Sequence, residues 1–124
     1  DEFERAAEVA AKAAFAKGSL RRSMLVCVLK GTPWEPQCGF SLRMVKALRG
    51  VNAVFSFIDV ASDTRLAEAF KRLADWPTVP MLFVNGELFG GSDIVDEYVA
   101  EGTLRSSIQD ALPADLSEAE RGEL

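Results

Sequence analysis

Apolar residues along this chain follow two periods, and the switches between them divide it into elements. Met24 to Leu29 is an unbroken apolar run and predicts a buried strand. Val54 to Val60 alternates enough to predict a second strand. Met81 to Val84 and Glu87 to Phe89 flank Asn85-Gly86, a turn pair that predicts an antiparallel hairpin with high specificity. Apolar residues recur at helical spacing over Ser41 to Arg49, with Gly50 closing that helix. Ser62 or Asp63 caps a further helix to about Ala74, placing Leu66, Phe70 and Leu73 on one face. Gly90-Gly91-Ser92-Asp93 leads into a helix from about Ile94 to Glu101, stopped by Gly102, and a last helix spans about Leu104 to Leu112. Ahead of all these, the Ala-rich segment Phe3 to Lys17 predicts a helix that ends at a left-handed Gly18.

The predicted order is α-βα-βα-ββα-α. A βαβ crossover pairs the first two strands in parallel, with a right-handed connection, and the hairpin adds two antiparallel strands. A four-stranded mixed sheet with helices on both faces is the thioredoxin-like arrangement, an α/β fold, here with an extra N-terminal helix. The expected organisation is an N-terminal helix over 1–19, one domain over 20–112 and a polar, loose tail over 113–124.

Composition narrows the chemistry. With 124 residues, 48% of them hydrophobic, the chain can bury a core as one domain without covalent staples. Two cysteines make no disulfide scaffold and suit a reducing compartment. Histidine is absent, which removes Ser/His and Cys/His nucleophile pairs and every His-containing metal site. A single chain also lacks the thiols for a four-thiolate cluster. The net charge of −5 disfavours nonspecific nucleic-acid or anionic-membrane binding, and no apolar run approaches the roughly 20 residues needed to span a bilayer. The acidic start Asp1-Glu2-Phe3-Glu4 has neither a secretory signal nor an Arg-rich transit pattern, and it lacks an initiator Met.

Candidate chemistry centres on Cys38, alone in the stretch Lys30 to Ser41. It lies between a strand-end loop and a helix start, where unpaired N–H groups and Lys30 favour a thiolate. A thiolate attacks disulfides or binds soft metals. Three residues on, where a dithiol oxidoreductase carries its resolving cysteine, stands Ser41. The second sulfur must therefore come from elsewhere. Cys27, inside Leu25 to Leu29, is expected in the core.

Four motifs agree in order: Lys30-Gly31-Thr32-Pro33, Cys38-Gly39-Phe40-Ser41, Trp76-Pro77-Thr78-Val79-Pro80 and Gly90-Gly91-Ser92-Asp93. With them, about Leu20 to Leu112 resembles the monothiol glutaredoxins. Dithiol relatives place the lysine and cysteine closer than the eight positions that separate Lys30 from Cys38, so the loop with Trp34-Glu35-Pro36 marks the monothiol class. The resemblance implies glutathione, or a related low-molecular-weight thiol, as ligand. It also implies a [2Fe–2S] cluster held in a homodimer by one cysteine per subunit and two glutathione thiolates. Iron–sulfur assembly proteins and apoprotein acceptors would be its partners. Cys38 would be the cluster ligand and, in redox chemistry, the catalytic nucleophile. Phe40 would shield it, while Lys30, Lys71, Thr78, Val79, Ser92 and Asp93 would cradle glutathione.

Physical chemistry fits that assignment. A cis Val79-Pro80 bond would offer Val79's backbone to an extended peptide. Lys30 and Lys71 are cations for its carboxylates, and Ser92 and Asp93 sit at a helix N-terminus that suits one. Asp93 can also accept from the ligand's ammonium. The chain departs from the family pattern at Ala67, where an Arg, Lys or Gln is frequent, with Arg65 as a possible substitute, and at Ser92, where many members have cysteine. Three functions stay open: cluster binding and transfer, glutathione-dependent thiol–disulfide oxidoreduction, and an interaction module with a vestigial cysteine. The mitochondrial matrix is the expected location, with cytoplasm and plastid as alternatives.

Overall fold

Strand β1 (Leu25–Leu29) has all five residues buried, and its side chains serve two separate cores. Leu25, Cys27 and Leu29 point to one face of the sheet and Val26 and Val28 to the other, as the two-residue period requires. The computed structural model describes residues 24–114. The helix expected over Phe3 to Lys17 and the tail from Ser117 lie outside them.

The elements that follow are α1 (Gly39–Gly50), β2 (Ser56–Asp59), α2 (Thr64–Ala74), β3 (Met81–Val84), β4 (Glu87–Gly91), α3 (Ser92–Glu101) and α4 (Leu104–Ala111). The sheet order is β2-β1-β3-β4. β1 pairs parallel with β2, Cys27 opposite Phe57, and antiparallel with β3, Cys27 opposite Leu82. β3 and β4 form the expected hairpin. Asn85 and Gly86 have φ of 52° and 80°, both positive as a two-residue primed turn demands. Met44, Val45 and Leu48 of α1, Val95 of α3, and Leu104 and Ile108 of α4 fill the first core. Phe70 and Ala67 of α2 pack against Val26, Val28, Met81 and Phe83 in the second. Helices on both faces of a four-stranded mixed sheet make this a thioredoxin-like fold.

Local chemistry explains where the elements begin and end. Asp63 caps α2 by accepting the Leu66 N–H at 3.0 Å, and Gly102 ends α3 at φ 73°. α1 closes at Gly50, as expected, and the left-handed turn that follows falls on Asn52, at φ 57°. The structure corrects three expectations. β2 starts at Ser56, because Val54 is exposed and unpaired with β1. Leu73 is 46% exposed, so the buried stripe of α2 is Ala67, Ala69 and Phe70. Finally, α1 and α3 each begin two residues before the predicted position, at Gly39 and Ser92. Among the described residues no helix is long and apolar enough to cross a membrane.

Candidate functional site

The loop between β1 and α1 is closed on itself by hydrogen bonds. Gly31 pairs with Pro36 in an antiparallel bridge, and the Gln37 N–H donates to the Lys30 carbonyl at 2.8 Å. Inside this miniature hairpin the Thr32 and Glu35 backbones exchange two bonds of 3.2 Å, and Thr32 Oγ1 accepts the Glu35 N–H at 2.9 Å. Gly31 has φ +97°, and a Cβ there would meet the Glu35 carbonyl at 2.5 Å, so glycine is required. Asp59, at the end of β2, fixes the loop from outside by accepting the N–H of Gly31 at 2.9 Å and of Ala61 at 2.8 Å. The loop thereby brings Cys38 back beside the end of β1. Trp34 stands outside it, 77% exposed, edge-on to Phe57 with ring centroids 5.5 Å apart.

Cys38 is the N-cap of α1, with extended backbone at φ −149°, ψ 154°. Its sulfur accepts the Ser41 N–H at 3.3 Å, in the place where a serine or aspartate oxygen would cap a helix. Ser41, fully buried, accepts the Lys30 N–H at its Oγ, 3.1 Å away, and that oxygen lies 3.4 Å from Cys38 Sγ. A neutral thiol donates across that gap. Once the sulfur is a thiolate, the serine proton reverses direction, since Lys30 already occupies one of the oxygen's acceptor positions. Partial burial works against ionisation of Cys38. The Ser41 hydroxyl, the Ser41 and Phe40 N–H groups and the Lys30 charge outweigh it, and the thiol lies below its ordinary value of 9.0. Cys27 is the opposite case: complete burial pushes its thiol far up, and it packs as core.

Beside the sulfur lies a cavity of about 320 Å³ lined by Lys30, Phe40, Lys71, Thr78, Val79, Ser92 and Asp93, together with Pro77 and Pro80. Each residue expected to carry the chemistry or to cradle the ligand thus lies either at the thiol or in this cavity. They arrive from five places in the fold: the ends of β1 and α2, the starts of α1 and α3, and the segment before β3. The Val79-Pro80 bond is cis, as expected. Ser92 is buried where α3 opens, so the unpaired N–H groups of that first turn border the cavity. Behind it Gly91 leaves no room for a side chain, because a Cβ would lie 2.9 Å from Trp76 Nε1. A larger hollow of about 610 Å³ lies past Trp34 along Phe55 and Phe57, but no thiol opens into it.

Sequence reasoning missed three participants. Ser41 was legible only as the lack of a second sulfur. Its hydroxyl in fact ties the end of β1 to the thiol. Arg43 lies over the Phe40 ring, 5.5 Å from its centroid, and pairs with Asp96, which anchors α1 to α3 beside the cavity. Glu68 holds Lys71, Oε1 to Nζ, at 3.0 Å; its position three residues before Lys71 was the available signal. Ala67 is buried, and Arg65 does not line the cavity, so neither replaces the cation missing from the family pattern.

The arrangement can use its thiolate as a nucleophile or as a soft-metal ligand. Among the described residues no group of three or more His, Cys, Asp and Glu side chains could hold a metal ion. The cavity suits a small peptide thiol: two lysines and a helix N-terminus meet carboxylates, and Asp93 meets an ammonium.

Residues 24–89 match the Glutaredoxin family profile. The chain is 41% identical over 86 residues to Probable monothiol glutaredoxin GrlA of Legionella pneumophila, covering 69% of this chain and 97% of that one. Longer relatives are matched in part: Monothiol glutaredoxin-S17 of Arabidopsis thaliana is 39% identical over 94 residues, 76% of this chain and 19% of its own length. Among solved structures, reduced apo GrxS14 of poplar superposes with a TM-score of 0.62 at 38% identity, over 71% of this chain and 81% of that one. A buckwheat glutaredoxin–glutathione complex superposes with a TM-score of 0.59 at 25% identity, over 82% and 92%.

Proposed function

Because this chain belongs to the glutaredoxin family, among its monothiol members, we propose that it binds a [2Fe–2S] cluster between two copies of itself and passes it to apoproteins. The observation that carries this reading is a single activated, accessible thiol beside a peptide-sized cavity, with Ser41 in place of a second sulfur. A cluster requires four thiolates. One chain offers one, so two chains and two glutathione molecules complete the set. Cys38 would be the protein ligand in each subunit, and the cluster itself would supply the iron and sulfide being carried. Gly39 leaves space beside the sulfur, since a Cβ there would meet nothing within 4 Å. Phe40, 55% exposed, offers an apolar edge against water. The Ser41 hydroxyl and the Lys30 charge lower the Cys38 thiol and so favour the thiolate, the form that ligates iron.

Anaerobic reconstitution with iron, sulfide and glutathione tests this. The expected product is a coloured dimer with about two irons and four thiolate ligands, dependent on glutathione. A colourless monomer under those conditions would defeat the proposal.

The lowered thiol of Cys38 also favours a second reading, removal of glutathione from protein mixed disulfides. The Cys38 thiolate would attack the glutathione sulfur and release the protein thiolate. A second glutathione thiolate would then attack the Cys38 mixed disulfide, giving glutathione disulfide and restoring Cys38. Turnover on a glutathionylated substrate that is lost in Cys38→Ser supports this reading.

A further inference from the structure

The cavity beside Cys38 contains two cations, and each already has an anion of the protein's own. The Lys30 charge acts on the Cys38 sulfur and lowers its thiol. Lys71 pairs with Glu68 at 3.0 Å, and Lys71 is the more buried of the two partners, its side chain 28% exposed against 52% for Glu68. The cavity wall adds the carboxylate of Asp93. Counting Lys30 and Lys71 against Glu68 and Asp93, the charges around the cavity cancel before the Cys38 thiolate is included. Glutathione brings two carboxylates and one ammonium. Asp93 and the first turn of α3 suit its amino-acid end, with one charge of each sign. The carboxylate at its other end is left to compete for a lysine. On α2, Ala67 is buried and neither Arg65 nor Arg72 lines the cavity, so Lys71 is the cation that this helix brings to its wall.

We infer that Glu68 determines specificity in this cavity by competing with the C-terminal carboxylate of the ligand for Lys71, which makes the site tolerant of cysteinyl peptides whose C-terminal carboxylate is masked as an amide or ester. This rests on the cavity being the low-molecular-weight thiol site proposed above. An incoming carboxylate either displaces Glu68 from Lys71 or sits against it at like charge, and both weaken binding. A neutral end group suffers neither effect. Two like charges sharing one ammonium sit about 4 Å apart, where a unit charge in a watery setting is worth about fivefold in affinity, shrinking as salt screens it.

The test is a two-by-two titration at low ionic strength, following amide NMR shifts of Thr78, Val79 and Ser92. The proteins are the full chain and its Glu68→Gln variant; the ligands are glutathione and its glycyl ethyl ester. Gln preserves the size and helix propensity of Glu. The expected result is that Glu68→Gln binds glutathione about fivefold tighter, while its affinity for the ester changes less than twofold. The gain should fade above about 0.5 M salt. An equal change for both ligands, or none for either, overturns the inference and leaves the binding site standing. If neither ligand shifts these amides in either protein, the site itself has been misplaced, and the inference falls with it.

Discussion

Replacing Ser41 with alanine removes one oxygen that serves two groups at once. That oxygen accepts the Lys30 N–H at 3.1 Å and lies 3.4 Å from the Cys38 sulfur. A hydrogen bond to an ionised partner contributes about 1.5–3 kcal/mol. The low end applies to a sulfur that is partly exposed, so Ser41→Ala should reduce the thiolate population at neutral pH roughly tenfold. The assay is the rate of iodoacetamide alkylation of Cys38 against pH. The inflection should move to higher pH while the plateau rate at alkaline pH is largely kept, since the nucleophile itself is unchanged. Stability should follow the same linkage. Cys38 has a folded value below its ordinary 9.0, so its ionisation stabilises the fold fully above that pH and ceases to contribute as pH falls through the folded value. The stability gap between wild type and Ser41→Ala in urea should therefore widen from neutral pH to about 9 and stay level beyond it. Below that window a residual cost of about 1–2 kcal/mol remains, from the Lys30 N–H deprived of its acceptor. An unchanged alkylation profile would refute the argument, because the hydroxyl would then have no part in holding the thiolate.

Other substitutions separate charge, sulfur and backbone. Cys38→Ser should abolish cluster assembly in the reconstitution assay, yet cost less than about 1 kcal/mol in urea unfolding, since the sulfur is at a helix edge outside both cores. Lys30→Ala should slow Cys38 alkylation at neutral pH with recovery at higher pH, and weaken glutathione binding by titration, because the thiolate and the ligand lose the same cation. Gly31→Ala should destabilise by about 2–4 kcal/mol in thermal unfolding, since its φ of +97° is strained for alanine and the added Cβ meets backbone on the far side of the loop.

What the sequence disclosed depended on how local each determinant was. The Asn85-Gly86 turn, the Asp63 cap and the Gly102 stop are decided by one or two residues and their own backbone, and all three appear as read. Gly50 closes α1 as read, although the left-handed turn falls two residues further on, at Asn52. Val54 and Leu73 have apolar side chains at plausible spacing, but both are exposed and neither belongs to a core, and burial is decided by partners. The thiol and its cavity were legible because four short motifs carry them. The supports of the site were not. Asp59 reaches Gly31 across 28 residues of chain, and Arg43 reaches Asp96 across 53; nothing near either residue announces such a bond. Lys71 was expected in the site and Glu68 was close enough to it to be noticed, but only the structure shows the two paired at 3.0 Å.

The two cysteines are eleven positions apart and differ in every chemical respect: Cys27 is sealed in the core with its proton tightly held, and Cys38 is accessible and readily ionised. Toward other molecules the folded chain therefore has a sulfur valence of one. A monovalent unit cannot link into chains or networks. Oxidation can cap it with one small thiol or join it to one other protein, and there the process ends. Each of those outcomes changes the mass of the particle and leaves its internal connectivity intact. Redox history is consequently written in what the protein is attached to, where a two-thiol relative could store it as a bridge within itself.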